Sequence, residues 1–294
     1  MVESNETIFG KHRTFTSSQQ NMVIQGAKSK YLEGLTISIN GLQNGGTACT
    51  TINELGLVNP ISVDVGGVIQ ANTRLEDLYA FNKLVLGNNP IVKQGAGDNQ
   101  EWIISGLYMP LWFPATNEET KVSATYNAVT NADNTELSLT AHYLDNTARR
   151  ETMYYQEFQK NTSGVDNENN WSQDIDLIGN MTGVLIRTTT VQGGSVLIED
   201  GTIQEVAVEV NGQKVATWEW SEISALPKVF NGQSYDSLMD SPDSTAILDN
   251  YRYLPIQKEP IPAGNRVTLR IKAGVDAEAC LLYTSDAADD LLCV

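Results

Sequence analysis

Val63-Asp64-Val65-Gly66-Gly67 and Val208-Glu209-Val210-Asn211-Gly212 are one phrase written twice. Each reads apolar, acidic, apolar, and then enters a two-residue turn that tolerates positive φ, the signature of a strand running into a tight β-hairpin. At the same distance downstream of each stands an apolar residue, Leu78 and Ile223. Working outward, Glu54-Leu55-Gly56 is matched by Glu199-Asp200-Gly201, and Gly45-Gly46 by Gly193-Gly194. Further upstream, Gly34-Leu35-Thr36-Ile37 is matched by Gly183-Val184-Leu185-Ile186. The offset stays between 145 and 149 residues throughout. One Asn-Gly hairpin would carry no weight, but an ordered series at one offset points to a duplicated domain.

A chain of 294 residues suits two such domains. Thr, Val and Ile are frequent, Gly and Asn abundant, and long helical periodicity is nearly absent, so the cues are those of β-structure. No apolar run reaches the ~20 residues of a membrane-spanning helix, and the acidic start Met1-Val2-Glu3-Ser4-Asn5-Glu6 is unlike a secretory signal. The formal net charge of −17 repels phosphate backbones and argues against direct nucleic-acid binding.

The segment Cys280-Leu281-Leu282-Tyr283-Thr284-Ser285-Asp286-Ala287-Ala288-Asp289-Asp290 resembles a translated sequencing adapter, the transposase mosaic end tgt-ctc-tta-tac-aca-tct followed by gac-gct-gcc-gac-ga. Leu291 to Val294 continue into the index and the constant part behind it. On this reading residues 280–294 are not native and the reading frame originally continued past Ala279, in a sequence assembled from environmental DNA. The tail holds two of the three cysteines and three aspartates, so without it the charge is −14 and Cys49 is the remaining thiol. Neither a disulfide framework nor a thiolate metal site survives.

Along the chain, residues 1–30 read as an N-terminal arm with an entering strand, 31–148 as the first domain and 149–279 as the second. Leu35 to Ile39 alternates and ends at Asn40-Gly41, a strand with a turn; Ile61 to Val65 and its return at Val68-Ile69 form the hairpin. Leu75 to Leu86 has apolar residues at helical spacing, and Leu107 to Phe113 is a dense apolar stretch in which Pro110 demands an edge or a bend. Leu137 to Tyr143 closes the first domain, as Val267 to Lys272 closes the second. Asp145 to Thr152 is the polar boundary, and Phe230 to Tyr253 is a long excursion without pattern. Several short strands per half with glycine turns between them predict an all-β protein of two tandem antiparallel sandwiches, with a jelly roll as the favoured form of each.

Candidate chemistry is sparse. His12 and His142 lack neighbours at metal spacing, and Cys49 lacks a base. The carboxylates of Asp98-Asn99-Gln100-Glu101 and Asp166-Asn167-Glu168 could serve a glycosidase as a pair across a cleft, or offer oxygen to calcium. Nothing selects such a pair, and the spaced acidic loop and closing Glu of a calcium site are missing. The expectation is no catalytic residue and no cofactor, with calcium the one metal kept open. Trp218-Glu219-Trp220 puts two aromatics on one face of a strand. They read either as a packing contact or as a sugar-stacking platform of a tandem carbohydrate-binding or adhesin module.

A strand into "Val-Asn-Gly", a return strand and a short Leu-rich helix, said twice, resembles the double jelly-roll major capsid proteins of tailless icosahedral viruses. The closing strand after Pro262-Ala263-Gly264-Asn265-Arg266-Val267 is similar to the end of their second jelly roll, and the short-looped bacteriophage members fit this length best. The likeness spans residues 30 to 275 by pattern; Gly66-Gly67 departs from the usual Asn-Gly but leaves the turn intact. The resemblance implies two eight-stranded jelly rolls with short helices in the connections. It further implies a structural, non-enzymatic protein whose homotrimers are pseudo-hexagonal and tile an icosahedral shell. It places the chain in the virion, assembled in the host cytoplasm, beside neighbouring capsomers, penton and minor capsid proteins. Met1 to Gln20 would then lie inward over a membrane, with Lys11-His12-Arg13 near lipid, and loops in 114–134 and 230–253 would face outward or toward neighbours.

Overall fold

A computed structural model describes residues 6–14, 18–25, 31–43, 58–93, 100–113, 119–126, 132–144, 152–161, 170–177, 180–192, 195–197, 203–223, 251–255, 261–273 and 277–287. The chain divides into two compact units, Met1–Tyr154 and Tyr155–Val294, just past the polar stretch in which the sequence places its boundary.

The first unit contains β1 (Glu6–Thr14), β2 (Ser18–Gln25), β3 (Tyr31–Gln43), β4 (Val58–Val65), β5 (Val68–Thr73), β6 (Ile91–Lys93), β7 (Glu101–Phe113), β8 (Glu119–Tyr126) and β9 (Ala132–Leu144). Helix α1 (Leu75–Phe81) follows β5 and continues into a π-helical turn at Asn82–Leu86. Period-two alternation builds the strands: Ile61, Val63 and Val65 of β4 are buried while Ser62 and Asp64 are half-buried. One sheet runs β1-β9-β3-β7-β6 and the other β2-β8-β4-β5. The chain thus alternates between the two sheets from β1 to β4, crosses again after β5, β7 and β8, and its first strand pairs with its last. That winding of antiparallel strands into two packed sheets is a jelly roll. Its core is the inward row of each sheet, including Leu35, Ile37, Ile39, Trp102, Leu107 and Leu139.

The second unit repeats the plan with β10 (Thr152–Asn161), β11 (Asn170–Asp176), β12 (Asn180–Gln192), β13 (Ser195–Leu197), β14 (Ile203–Val210), β15 (Gln213–Glu219), a helical turn α2 (Trp220–Ile223), β16 (Tyr251–Pro255), β17 (Arg266–Ala273) and β18 (Ala277–Ala287). Its sheets run β10-β18-β12-β13, with β16 also on β12, and β11-β17-β14-β15. The counterpart strands stand in the same places: β10-β18-β12-β16 for β1-β9-β3-β7, and β11-β17-β14-β15 for β2-β8-β4-β5. Val184, Ile186, Val206, Val208, Leu254 and Leu269 lie in its core. The fold is therefore a double jelly roll.

Several local expectations are corrected. Residues 6–14 and 18–25 are not a free arm with one entering strand: they are two strands, paired along their lengths with β9 and β8. Few of their residues are apolar, so the backbone ladder that holds them left little hydrophobic pattern to read. Asn40-Gly41 is not a turn; β3 runs through it to Gln43 with a register shift between Asn40 and Leu42. Within 114–134, residues 119–126 are β8 rather than loop; only its Val122 and Ala124 are described as buried, too thin an apolar row to announce a strand. Val267 to Lys272 belongs to β17, the counterpart of β8, and β18 closes the second unit. Setting aside residues from 280 onward had removed the last strand from the count. Eight of the eleven residues of β18 belong to that adapter-like segment; backbone pairing with β12 is blind to the origin of the residues that make it. The excursion from 230 to 250 lies outside the described residues, and Tyr251–Tyr253 are part of β16.

Candidate functional site

The repeated hairpins are built alike in detail. Gly66 and Gly67 have φ of 62° and 87°, and Asn211 and Gly212 have 51° and 80°, so both central residues of each turn are left-handed, as the type I′ hairpin requires. Each hairpin also slips its register at the same point, between Val63 and Asp64 in one unit and between Val208 and Glu209 in the other. The Gly67 amide donates to Asp64 Oδ1 at 2.8 Å. Asn211 instead ties its hairpin to the turn before β17: its Oδ1 accepts from the Arg266 amide at 3.0 Å and its Nδ2 donates to Asn265 Oδ1 at 2.7 Å. The predicted apolar residues Leu78 and Ile223 are buried in the helical turns that follow, α1 and α2.

A second repeat escaped the sequence reading. Tyr108-Met109-Pro110 on β7 and Tyr253-Leu254-Pro255 on β16 occupy counterpart positions, with Pro110 opposite Gly34 and Pro255 opposite Gly183. A Cβ on Gly34 would stand 2.5 Å from the Met109 carbonyl oxygen and 2.7 Å from the Tyr108 hydroxyl; one on Gly183 would overlap the Tyr253 phenol. In both units the glycine is a gap that a tyrosine from the neighbouring strand closes. The common offset of 145 residues between the Tyr-x-Pro triplets was the available signal, but it is short enough to pass unnoticed without the pairing.

In the first unit the far side of β7 is satisfied by a side chain. Asn82 Nδ2 donates to the Tyr108 carbonyl and to Leu78 O, both at 2.8 Å, and its Oδ1 accepts from the Tyr108 amide at 2.9 Å. Fully buried, Asn82 thus takes the place of a strand beside Tyr108. Next to it, Lys83 is buried, donates to Asn89 Oδ1 at 2.9 Å and lies 6.0 Å from the Tyr79 ring; burial lowers its pKa from the ordinary 10.5.

The two tryptophans do not share a strand face. Trp218 lies on β15, packed against the core, whereas Trp220 begins α2 and is 5% exposed, with the Arg252 guanidinium 5.1 Å from its ring centre. An edge of bulky aromatics needs both rings in solvent to stack on a sugar, and the strand stops one residue too early for that. Leu75 and Leu107 hold the corresponding positions in the first unit.

His142 bonds through Nε2 to Thr36 Oγ1 at 2.7 Å and meets Tyr108 edge-on, with ring centres 5.9 Å apart. His12 is on β1 opposite Ser138. Cys49 and the acidic clusters Asp98-Asn99 and Asp166-Asn167-Glu168 lie outside the described residues. Among the described residues no group of three His, Cys, Asp or Glu gathers in a way that could hold a metal, and no helix is long and apolar enough to cross a membrane.

The outer face of the β11-β17-β14-β15 sheet is an ion-pair ladder. Arg270 grips Glu209 with two bonds of 2.6 and 3.1 Å, which raises its pKa, and Arg266 reaches Asp174 at 2.9 Å and Asp176 at 3.7 Å. A shallow recess of about 260 Å³ lies over Ala207, rimmed by Ser172, Glu205, Glu209, Lys214, Arg270 and Lys272. Within it Arg270 pairs with Glu209, and by register Glu205 stands opposite Lys272 and Glu209 opposite Lys214.

The architecture is that of a double jelly roll, and solved proteins share it over nearly the whole chain. A chain of the atomic structure of Sulfolobus Turreted Icosahedral Virus aligns with a TM-score of 0.71 at 11% identity, covering 97% of this chain and 91% of that one. The PBCV-1 virus capsid gives 0.62 at 9%, covering 97% and 94%. The major capsid protein P2 from bacteriophage PM2 gives 0.56 at 12%, covering 96% and 99%. At these identities the likeness is one of fold. No family model matches the chain, and no curated protein matches it in sequence.

Proposed function

We propose that the chain is the major capsid protein of a tailless icosahedral virus, forming pseudo-hexagonal homotrimers that tile the shell. The observation that carries this reading is two jelly rolls wound alike in one chain, in an architecture common to virus capsid structures over 96–97% of its length. Two like domains in each of three chains present six similar faces around a threefold axis, so a closed trimer can pack as a hexagon packs. The work is mechanical, and the chain acts by binding copies of itself. The virion is its location, assembly takes place in the host cytoplasm, and penton and minor capsid proteins are further partners. Contact with an inner membrane belongs to the same reading, but Lys11, His12 and Arg13 would reach it from a strand rather than from a free arm. The native gene, on this reading, encodes its own strand from residue 280 in the place of β18; sequencing the gene from its source checks this, and an unchanged tail overturns it.

The test of function is assembly. Purified chain, followed by light scattering behind a sizing column and by electron microscopy, is expected to give trimers and flat or curved arrays of them. A protein that stays monomeric across the accessible concentration range refutes the reading.

A further inference from the structure

We infer that the outer face of the β2-β8-β4-β5 sheet of the first unit is a contact surface for a second copy of this chain. The inference rests on the assembly reading above and specifies which face carries it.

The two units provide an internal comparison. Their inward rows correspond closely: Ile61, Val63 and Val65 of β4 answer to Val206, Val208 and Val210 of β14, and Val122 of β8 to Leu269 of β17. The outward rows have parted. In the second unit nine charged side chains cover the face, five of them joined in the pairs described above. Where that unit has Arg270, Lys272 and Lys214, the first has Ser123, Thr125 and Ile69. Among the described side chains on the strands of the first unit's face only Asp64 and Lys121 are charged, and they sit opposite each other across β4 and β8; Arg74, the counterpart of Glu219, follows directly after β5. Ser62 donates to Asn72 Oδ1 at 2.6 Å, which holds these two short side chains together on the face. Ile69, beside them on the edge strand, is 62% exposed.

A charged ladder is what solvent asks of an open sheet face, and the second unit has one. Its loss among the described side chains of the matching face, next to an open edge strand, asks for a covering surface. Charge names the occupant. Each copy carries −17, so two copies repel wherever acidic surfaces meet, and a face whose described charges, Asp64 and Lys121, stand opposite each other is where they can approach. A basic partner would instead be met by acidic side chains, and the described part of this face shows one acid, placed opposite Lys121.

The experiment compares three variants with the wild type by sedimentation velocity over a concentration series, with circular dichroism to verify folding. Ser123→Glu/Thr125→Glu adds two negative charges to the centre of the face. Ile69→Lys installs the residue its counterpart, Lys214, already carries, and at an exposed position it leaves the core untouched. Lys272→Glu makes the same change of two charges on the second unit's face. The first two are expected to raise the concentration for half-assembly at least tenfold, and Lys272→Glu to leave it within twofold. Wild-type assembly by both face variants, or equal weakening by Lys272→Glu, overturns the inference and leaves the capsid reading standing. A wild-type chain that never assembles overturns both.

Discussion

Replacing Asn82 with leucine tests the claim that one side chain stands in for a missing strand. Leucine has the same branched skeleton of four side-chain heavy atoms and is apolar, so it occupies the site while removing every side-chain hydrogen bond. The Tyr108 amide and carbonyl then lose partners at 2.9 and 2.8 Å, and Leu78 O loses one at 2.8 Å. A buried backbone group deprived of its partner costs about 1–3 kcal/mol. The two groups of Tyr108 together predict a loss of roughly 2–6 kcal/mol, a large part of the stability of a domain this size. Asn82→Asp refines the test. The carboxylate still accepts from the Tyr108 amide but can no longer donate to the carbonyl, and it buries a charge. The deficit of this variant should therefore shrink as pH falls toward the carboxylate range, where the introduced side chain, once protonated, regains one donor. Urea unfolding followed by tryptophan fluorescence reads the loss, and hydrogen exchange of peptides spanning Tyr108 locates it. A leucine variant within about 0.5 kcal/mol of wild type, with unchanged exchange at Tyr108, would refute the reasoning.

Three further expectations follow from the same geometry. Gly34→Ala and Gly183→Ala should each cost on the order of 2–3 kcal/mol or more, because a Cβ meets packed atoms of the neighbouring strand; Gly212→Ala, strained by φ alone with no atom within 4 Å, should cost about 1–2 kcal/mol in the same urea series. In a double-mutant cycle of Arg252→Leu and Trp220→Leu, which rebuilds the apolar pair of the first unit, the coupling should be about 1–2 kcal/mol, and additivity of the two changes would remove the cation–π contact from the account. Lys83, whose folded pKa is lowered by burial, binds fewer protons folded than unfolded between that value and 10.5. Wild-type stability relative to Lys83→Met should therefore rise with pH through that window, and a flat difference between the two pH profiles would count against burial as the cause.

Much of the architecture was legible because β-structure writes itself locally. A type I′ turn needs two residues that accept positive φ, and strands with one buried face must alternate, so Val63 to Gly67 and Val208 to Gly212 declared both their form and their kinship. Among the strands that went unread, β8 and one of β1 and β2 show few apolar residues and are held by backbone bonds that any sequence can make. The pairing of Trp218 with Trp220 failed for a related reason: two residues apart share a face only while the strand continues, and the helical turn that starts at Trp220 turns its ring into the core.

Taken alone, the chain's order of residues determined that there are two domains, that both are β-sandwiches, and where their tightest hairpins fall, since these depend on neighbours in sequence. Tertiary structure alone decided that Pro110 meets Gly34 as Pro255 meets Gly183, that Asn82 completes β7, and that two matching sheets turn different faces to their surroundings. Those facts depend on pairing between residues tens of positions apart, and register is settled only when whole rows of side chains find the core together.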